Sequence, residues 1–134
     1  MIGEMIGELS GKVIGQRLVH HWGGPMKIER TIEAKGNIHG IDVSFLATTW
    51  ASERPHGGMF VKGHAMMMTM HGEKAEGQGS GVIIPLKGGG MSVRGARYFQ
   101  TGSAALKKLN DVALLFEIEV GPDGTYRDKM WEWK

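Results

Sequence analysis

The run His64-Ala65-Met66-Met67-Met68-Thr69-Met70-His71 gathers imidazole and thioether side chains into eight consecutive residues. In an extended strand alternate side chains share a face, which groups His64, Met66, Met68 and Met70. Imidazole and thioether ligands suit Cu(I), so a soft-metal site is one reading of this face. No thiolate accompanies them, because the chain has no cysteine. Methionine is also the side chain that fills irregular cores and adaptable ligand cavities. The second reading is preferred: His64, Met66, Met68 and Met70 are expected to line a ligand cavity or core, with no metal and no cofactor.

A second constellation lies at Ser92-Val93-Arg94-Gly95-Ala96-Arg97-Tyr98-Phe99-Gln100-Thr101. Alternation puts Arg94 and Tyr98 on one face, and Arg97 and Phe99 on the other. Whichever face turns inward, the interior receives an arginine and an aromatic ring. A buried guanidinium needs a carboxylate or an anionic ligand to offset its desolvation. Asp42, Glu76 or Glu117 could serve as a structural partner; an anionic ligand at Arg94 and Tyr98 is the sharper expectation.

Other histidines carry less. His20-His21-Trp22 closes a strand, where adjacent residues point to opposite faces, so the two imidazoles do not share a site easily. One of them could serve as a general base near neutral pH, but a polar strand end is the simpler reading. His39 and His56 fall at a strand start and in a turn. Gly77-Gln78-Gly79-Ser80-Gly81 imitates a phosphate loop but lacks the lysine and the strand-to-helix context such a loop needs. Trp131 and Trp133 share a face and are expected to seal the core.

These residues sit on segments that alternate with period two. Ile28, Ile32 and Ala34 share a face; so do Ile41, Val43, Phe45 and Ala47, and Val112, Leu114, Phe116, Ile118 and Val120. One apolar face at this period marks a half-buried strand. Strands are expected over 11–21, 26–35, 38–50, 59–71, 73–84, 91–100, 111–120 and 125–133. All four prolines sit in glycine-containing breaks, Gly23-Gly24-Pro25, Pro55-His56-Gly57-Gly58, Pro85 to Gly90 and Gly121-Pro122-Asp123-Gly124, which read as turns. Lys35-Gly36-Asn37 and His71-Gly72 are weaker turn signals.

Eight long consecutive strands are most economically closed on themselves, because closure removes exposed edges. The expected fold is all-β: a closed eight-stranded antiparallel up-and-down barrel with one short helix before strand seven. That helix is read at Ser103 to Asn110, with Ser103 as its cap. Ile2, Met5, Ile6 and Leu9 follow a helical spacing, so residues 1–9 are read as a short N-terminal helix or arm on a single domain, 1–134. Glycines on strand faces, at Gly40, Gly63, Gly77, Gly79, Gly81 and Gly95, suit the sharp bends of a small barrel.

Composition narrows the function. Glycine makes up 22 of 134 residues, against a usual share of about 7%, without the period that collagen requires. Hydrophobic residues are 41% and charged residues 22%, as in a folded domain. The net charge is +2, with basic and acidic groups mixed along the chain. No basic stripe suggests a nucleic-acid partner. No run approaches 18 apolar residues, so no membrane-spanning helix and no membrane partner are expected. The acidic N-terminus is unlike a signal peptide, and with the lack of cysteine it points to the cytoplasm.

Several runs together resemble a family of small uncharacterised prokaryotic proteins. They are Lys12 to Arg17, Gly23-Gly24-Pro25, Gly77 to Gly81, Arg94 to Thr101, Leu106 to Asn110 and Trp131 to Lys134. More loosely, the pattern is similar to allene-oxide-cyclase-like and lipocalin-like (calycin-like) barrels. The resemblance implies a β-barrel and transfers no catalytic residue. Three functions are therefore carried forward. The first is a binding module for a small apolar or carboxylate-bearing ligand, lined by His64, Met66, Met68, Met70, Arg94 and Tyr98. The second is an isomerase or cyclase resembling allene oxide cyclase. The third is a structural or assembly protein that forms homo-oligomers.

Overall fold

A computed structural model describes residues 1–20 and 22–134. His21, half of the histidine pair noted above, lies outside the described residues. Eight strands follow one another: β1 (Ile2–Val19), β2 (Lys27–Ile38), β3 (Ile41–Glu53), β4 (Met59–Thr69), β5 (Lys74–Pro85), β6 (Met91–Gln100), β7 (Ala113–Val120) and β8 (Thr125–Trp133). Each pairs antiparallel with its neighbours, and β8 returns to β1 to close the barrel. The fold expected from alternation and turn spacing is the one observed, and every predicted strand from 26–35 onward overlaps its counterpart.

Up-and-down order gives the barrel two unlike ends. The turns after β1, β3, β5 and β7 gather at one end, and they hold all four Pro/Gly breaks. The turns after β2 and β4 lie at the other end, with the longer crossing from β6 to β7. That crossing contains the helix expected before β7, shortened to a 3-10 turn at Lys107–Asp111. Its leucines, Leu106 and Leu109, are fully buried and plug this end. Asn110 pins it: Oδ1 accepts from the Thr101 backbone N–H at 2.7 Å and Nδ2 donates to the Thr101 carbonyl at 2.9 Å. Ser103 does not cap the turn; its hydroxyl donates instead to the Glu73 carboxylate on the β4–β5 turn.

Three local expectations are corrected. Residues 2–9 form strand, not helix, and pair with β8 and with β2. Gly3 and Gly7 weaken a helix, whereas a strand here supplies both sides of the closing seam with hydrogen-bond partners. Register shifts at Ile2/Met5 and Met5/Gly7 explain why its apolar residues do not show a clean period of two. Gly36 lies within β2, and the turn is His39-Gly40, whose φ angles of 50° and 76° make the two-residue hairpin that matches strand twist. Gly40 thus serves a turn and not a strand face. Finally, Trp131 and Trp133 face outward, and Trp133 is 56% exposed. Tyr126, Asp128 and Met130 are the residues β8 turns into the core.

The interior is filled from the plugged end. Leu9, Ile38, Met67, Leu114 and Met130 pack there with Leu106 and Leu109, all essentially without solvent contact. Towards the Pro/Gly end the lining residues Val13, Val61, Met91, Ile118 and Val120 are only half-buried. Glycines on the inner face of β5 make room for larger neighbours. A Cβ on Gly77 would lie 2.6 Å from the Phe99 ring, and one on Gly79 would lie 2.9 Å from the Ala96 carbonyl. In a barrel of this size the interior is just wide enough for side chains to fill, so such space is decisive.

Candidate functional site

Within the half-buried part of the barrel lies a cavity of about 90 Å³. Its walls are apolar: Ile32, Phe45, Ala47, Ala65, Ile83 and Val93 along the sides, with Met91, Ile118 and Val120 towards the Pro/Gly end. Phe99, Phe116, Tyr126 and Arg97 form the deeper surface. Alternation places them there, because each belongs to the inward set of its strand.

Arg97, on β6, is the arginine that turns inward. Its Nη1 donates to Asp128 Oδ1 at 3.0 Å, and its Nη2 lies 2.9 Å from Oδ2. Asp128, on β8, has no solvent exposure, and its Oδ2 also accepts the Tyr126 hydroxyl at 2.5 Å. The guanidinium stacks over the Phe116 ring at 4.2 Å and lies 5.9 Å from the Phe45 ring. Burial opposes the charge on Arg97, yet Asp128 and Tyr126 outweigh it and hold the guanidinium pKa above its ordinary value. Burial, reinforced by the Asp128 charge, pushes the Tyr126 phenol well above its ordinary range, so it stays protonated and donating. Among the described residues, no buried side-chain nitrogen or oxygen lacks a partner. The network is an internally neutralised pair with a phenol attached to it.

Sequence reasoning predicted an inward arginine requiring compensation, and Arg97 meets that requirement. The compensating acid is Asp128, not Asp42, Glu76 or Glu117. Glu117 pairs with the other arginine, Arg94, at 3.1 Å on the outer wall, where both are about half exposed. Sequence alone points away from Asp128 and Tyr126, because the bulk of Trp131 and Trp133 suggests the opposite face of β8 for the core. The alternation Tyr126, Asp128, Met130 against Arg127, Lys129 carried the correct phase.

Of the predicted ligand residues, His64 is among those that line the cavity, and His64, Met66 and Tyr98 together line a second hollow on the outer wall; the six do not form one set. His64, Met66 and Met68 alternate with the inward Ala65, Met67 and Thr69, so they face the outer wall, as do Arg94 and Tyr98. Met70 leaves β4 into the turn and is almost fully exposed. His64 packs edge-on against Trp50, ring centroids 5.1 Å apart. Trp50 in turn donates its indole N–H to Glu29 at 2.9 Å. The hydrogen bonds from Arg17 and then Trp50 hold the Glu29 carboxyl below its ordinary range. Any interior ligand therefore meets the Arg97 region and the apolar walls instead of the methionine face. That face has the phase it has because Met67, the one methionine of the run with no exposure, occupies the core position.

The polar feature nearer the mouth is Arg30 on β2. It lines the cavity, and its Nε donates to Gln16 Oε1 on β1 at 3.0 Å. Partial burial lowers its pKa from the ordinary arginine value. Nothing in the sequence pattern singled it out, because Arg30 alternates with Ile28 and Ile32 on an otherwise apolar face.

No family profile and no curated protein matches the chain. Solved structures do. A protein of unknown function from Clostridium acetobutylicum is 12% identical with a TM-score of 0.79, over 96% of each chain. A conserved protein of unknown function from Rhodopseudomonas palustris is 12% identical with a TM-score of 0.79, over 99% of each chain. A β-barrel-like protein from Acinetobacter baumannii AYE is 10% identical with a TM-score of 0.80, over 99% of this chain and 96% of that one. At these identities the likeness is one of fold: this chain is a small β-barrel protein, similar in architecture to these three.

Proposed function

We propose that the barrel is a cytoplasmic binding module that takes a small apolar or carboxylate-bearing molecule through its Pro/Gly end. The observation that supports this is the apolar cavity, lined towards the Pro/Gly end by half-buried Val61, Met91, Ile118 and Val120, while Leu106 and Leu109 are buried at the other end of the barrel. Size limits the ligand. Drug-sized pockets run to roughly 300 Å³ or more, whereas an apolar cavity of about 150 Å³ accommodates benzene. A cavity of about 90 Å³ suits a short chain or the tip of a longer one.

The test is a titration with hexan-1-ol, followed through the methyl resonances of Val61, Met91 and Val93. Saturable shifts of these methyls are expected in the wild type and their loss in Ala65→Leu, which fills the cavity. Absence of saturable shifts in the wild type, or binding undiminished in a folded Ala65→Leu variant, would refute the reading.

An isomerase or cyclase resembling allene oxide cyclase would require a buried group free to move a proton. The Tyr126 phenol is committed to Asp128, which favours binding over catalysis. A second reading, homo-oligomeric assembly, draws on the outer wall, where Ile2 and Met5 on β1 adjoin Trp133 and Trp131 on β8. Ile2 and Trp133 are 60% and 56% exposed. Sedimentation showing a monomer at all accessible concentrations would remove that reading.

A further inference from the structure

The cavity is lined by two arginines with opposite electrostatic situations, and by Lys62, which belongs to the outward, exposed set of β4 and reaches only its edge. Arg97 is matched charge for charge by Asp128. Arg30 is not: its hydrogen-bond partner is the neutral amide of Gln16. Among the described residues, no carboxylate lies within 4.0 Å of Arg30. Neither Asp nor Glu contributes to the cavity wall. Glu29, its neighbour in sequence, is turned to the outer wall and engaged by Arg17 and Trp50.

A half-buried guanidinium beside an apolar cavity carries a desolvation cost that a neutral amide offsets only in part. An anionic ligand group would supply the missing charge, with the planar donor geometry that guanidinium offers to carboxylates. Gln16 and Thr49, opposite Arg30 on the two neighbouring strands, flank the position.

We infer that Arg30 is the anion-recognition residue of the barrel, and that its ligand is a short-chain monocarboxylate, carboxylate at Arg30 and hydrocarbon in the cavity. This rests on the binding reading above and adds an orientation and a charge requirement to it. By scaling from the cavity that holds benzene, the enclosed part accommodates about three or four carbon atoms. Arg97 plays no part in recognising the head group, since its charge is already met.

The experiment compares hexanoate with hexan-1-ol, following the Met91 methyl resonance as a local reporter, in the wild type and in Arg30→Gln. A charge-assisted hydrogen bond gained on binding predicts that hexanoate binds the wild type about ten-fold more tightly. In Arg30→Gln the two ligands are expected within about two-fold of each other, and Arg30→Lys restores part of the preference. Equal binding of both ligands to the wild type overturns the inference and leaves the cavity reading standing. A hexanoate preference that survives in Arg30→Gln overturns the assignment to Arg30. If neither ligand moves the Met91 resonance, the cavity reading fails and the inference with it. The wild-type comparison needs no variant, so a misfolded substitution does not rescue the idea.

Discussion

Asp128→Asn isolates the cost of leaving a guanidinium in the barrel without its counter-charge. The pair is bidentate, with contacts of 3.0 and 2.9 Å, and Asp128 has no exposure to solvent that could replace the lost charge. Breaking a buried pair by removing one partner costs about 3–5 kcal/mol. The amide oxygen can keep the Arg97 Nη2 and Tyr126 contacts of Oδ2, but the amide NH2 then faces the Arg97 Nη1 donor and the counter-charge is gone, which places the expected loss in that range. Against a total stability of roughly 5–15 kcal/mol, this removes a large share of the fold's margin. At about 3–4 °C per kcal/mol for a domain of this size, Tm should fall by roughly 10–20 °C. The assay is urea denaturation at neutral pH, with the midpoint lowered and the m value unchanged. The companion is Arg97→Met combined with Asp128→Leu, which removes both charges and keeps the volume apolar. That double variant should lose far less than the sum of the single losses, because neither charge is stranded. An Asp128→Asn loss below about 1 kcal/mol, or a double variant as damaged as the summed singles, would show that the pair is solvated in solution and that the energetic argument is wrong.

Two further outcomes follow from the same interior. Tyr126 has a raised pKa in the folded state, so its contribution is present below the ordinary phenol value and is lost as pH rises through about 10 and beyond. Wild-type stability should therefore decline with alkaline pH, and Tyr126→Phe should flatten that slope while losing about 1–2 kcal/mol at neutral pH; an unchanged slope rejects the assignment. Gly77→Ala should cost about 1–3 kcal/mol through collision with Phe99, read as a lowered denaturation midpoint. Adding Phe99→Leu should recover part of that loss, and no recovery would mean that the backbone of β5, not the ring, sets the limit.

Much of the barrel is legible before any coordinates are known, because strand alternation and the four Pro/Gly turns are local signals. Phe45, Leu114 and Phe116 could be assigned inward from their own neighbours. Where both faces carry mixed residues, local reading has no phase. In the run Met66 to Met68 on β4 the methionines occupy both faces, and the inward one is Met67; on β8 the two tryptophans outweigh the smaller Tyr126, Asp128 and Met130. Phase there is set by register against strands distant in sequence. The partner of Arg97 shows the same limit: Asp128 lies on a strand two places along, and their approach across β7 depends on the curl of the sheet. Arg30 was invisible for a different reason. A lone arginine at an apolar strand position is recognisable as unusual only when the surrounding acids are seen to point elsewhere.

The seam between β1 and β8 also has a consequence in time. As the chain leaves the ribosome, β1 emerges first and its partner on that side last, so one edge of the growing sheet stays unpaired until residues 125–133 arrive. The intervening hairpins form from near neighbours, whereas closing the ring waits for a contact spanning almost the whole chain, the slow kind of contact in folding. Until then Arg97 has no Asp128, Leu9 no cover, and the exposed edge offers itself to other chains. Synthesis order thus makes the last strand the keystone, and truncations near it should send the protein into aggregates rather than into a smaller folded barrel.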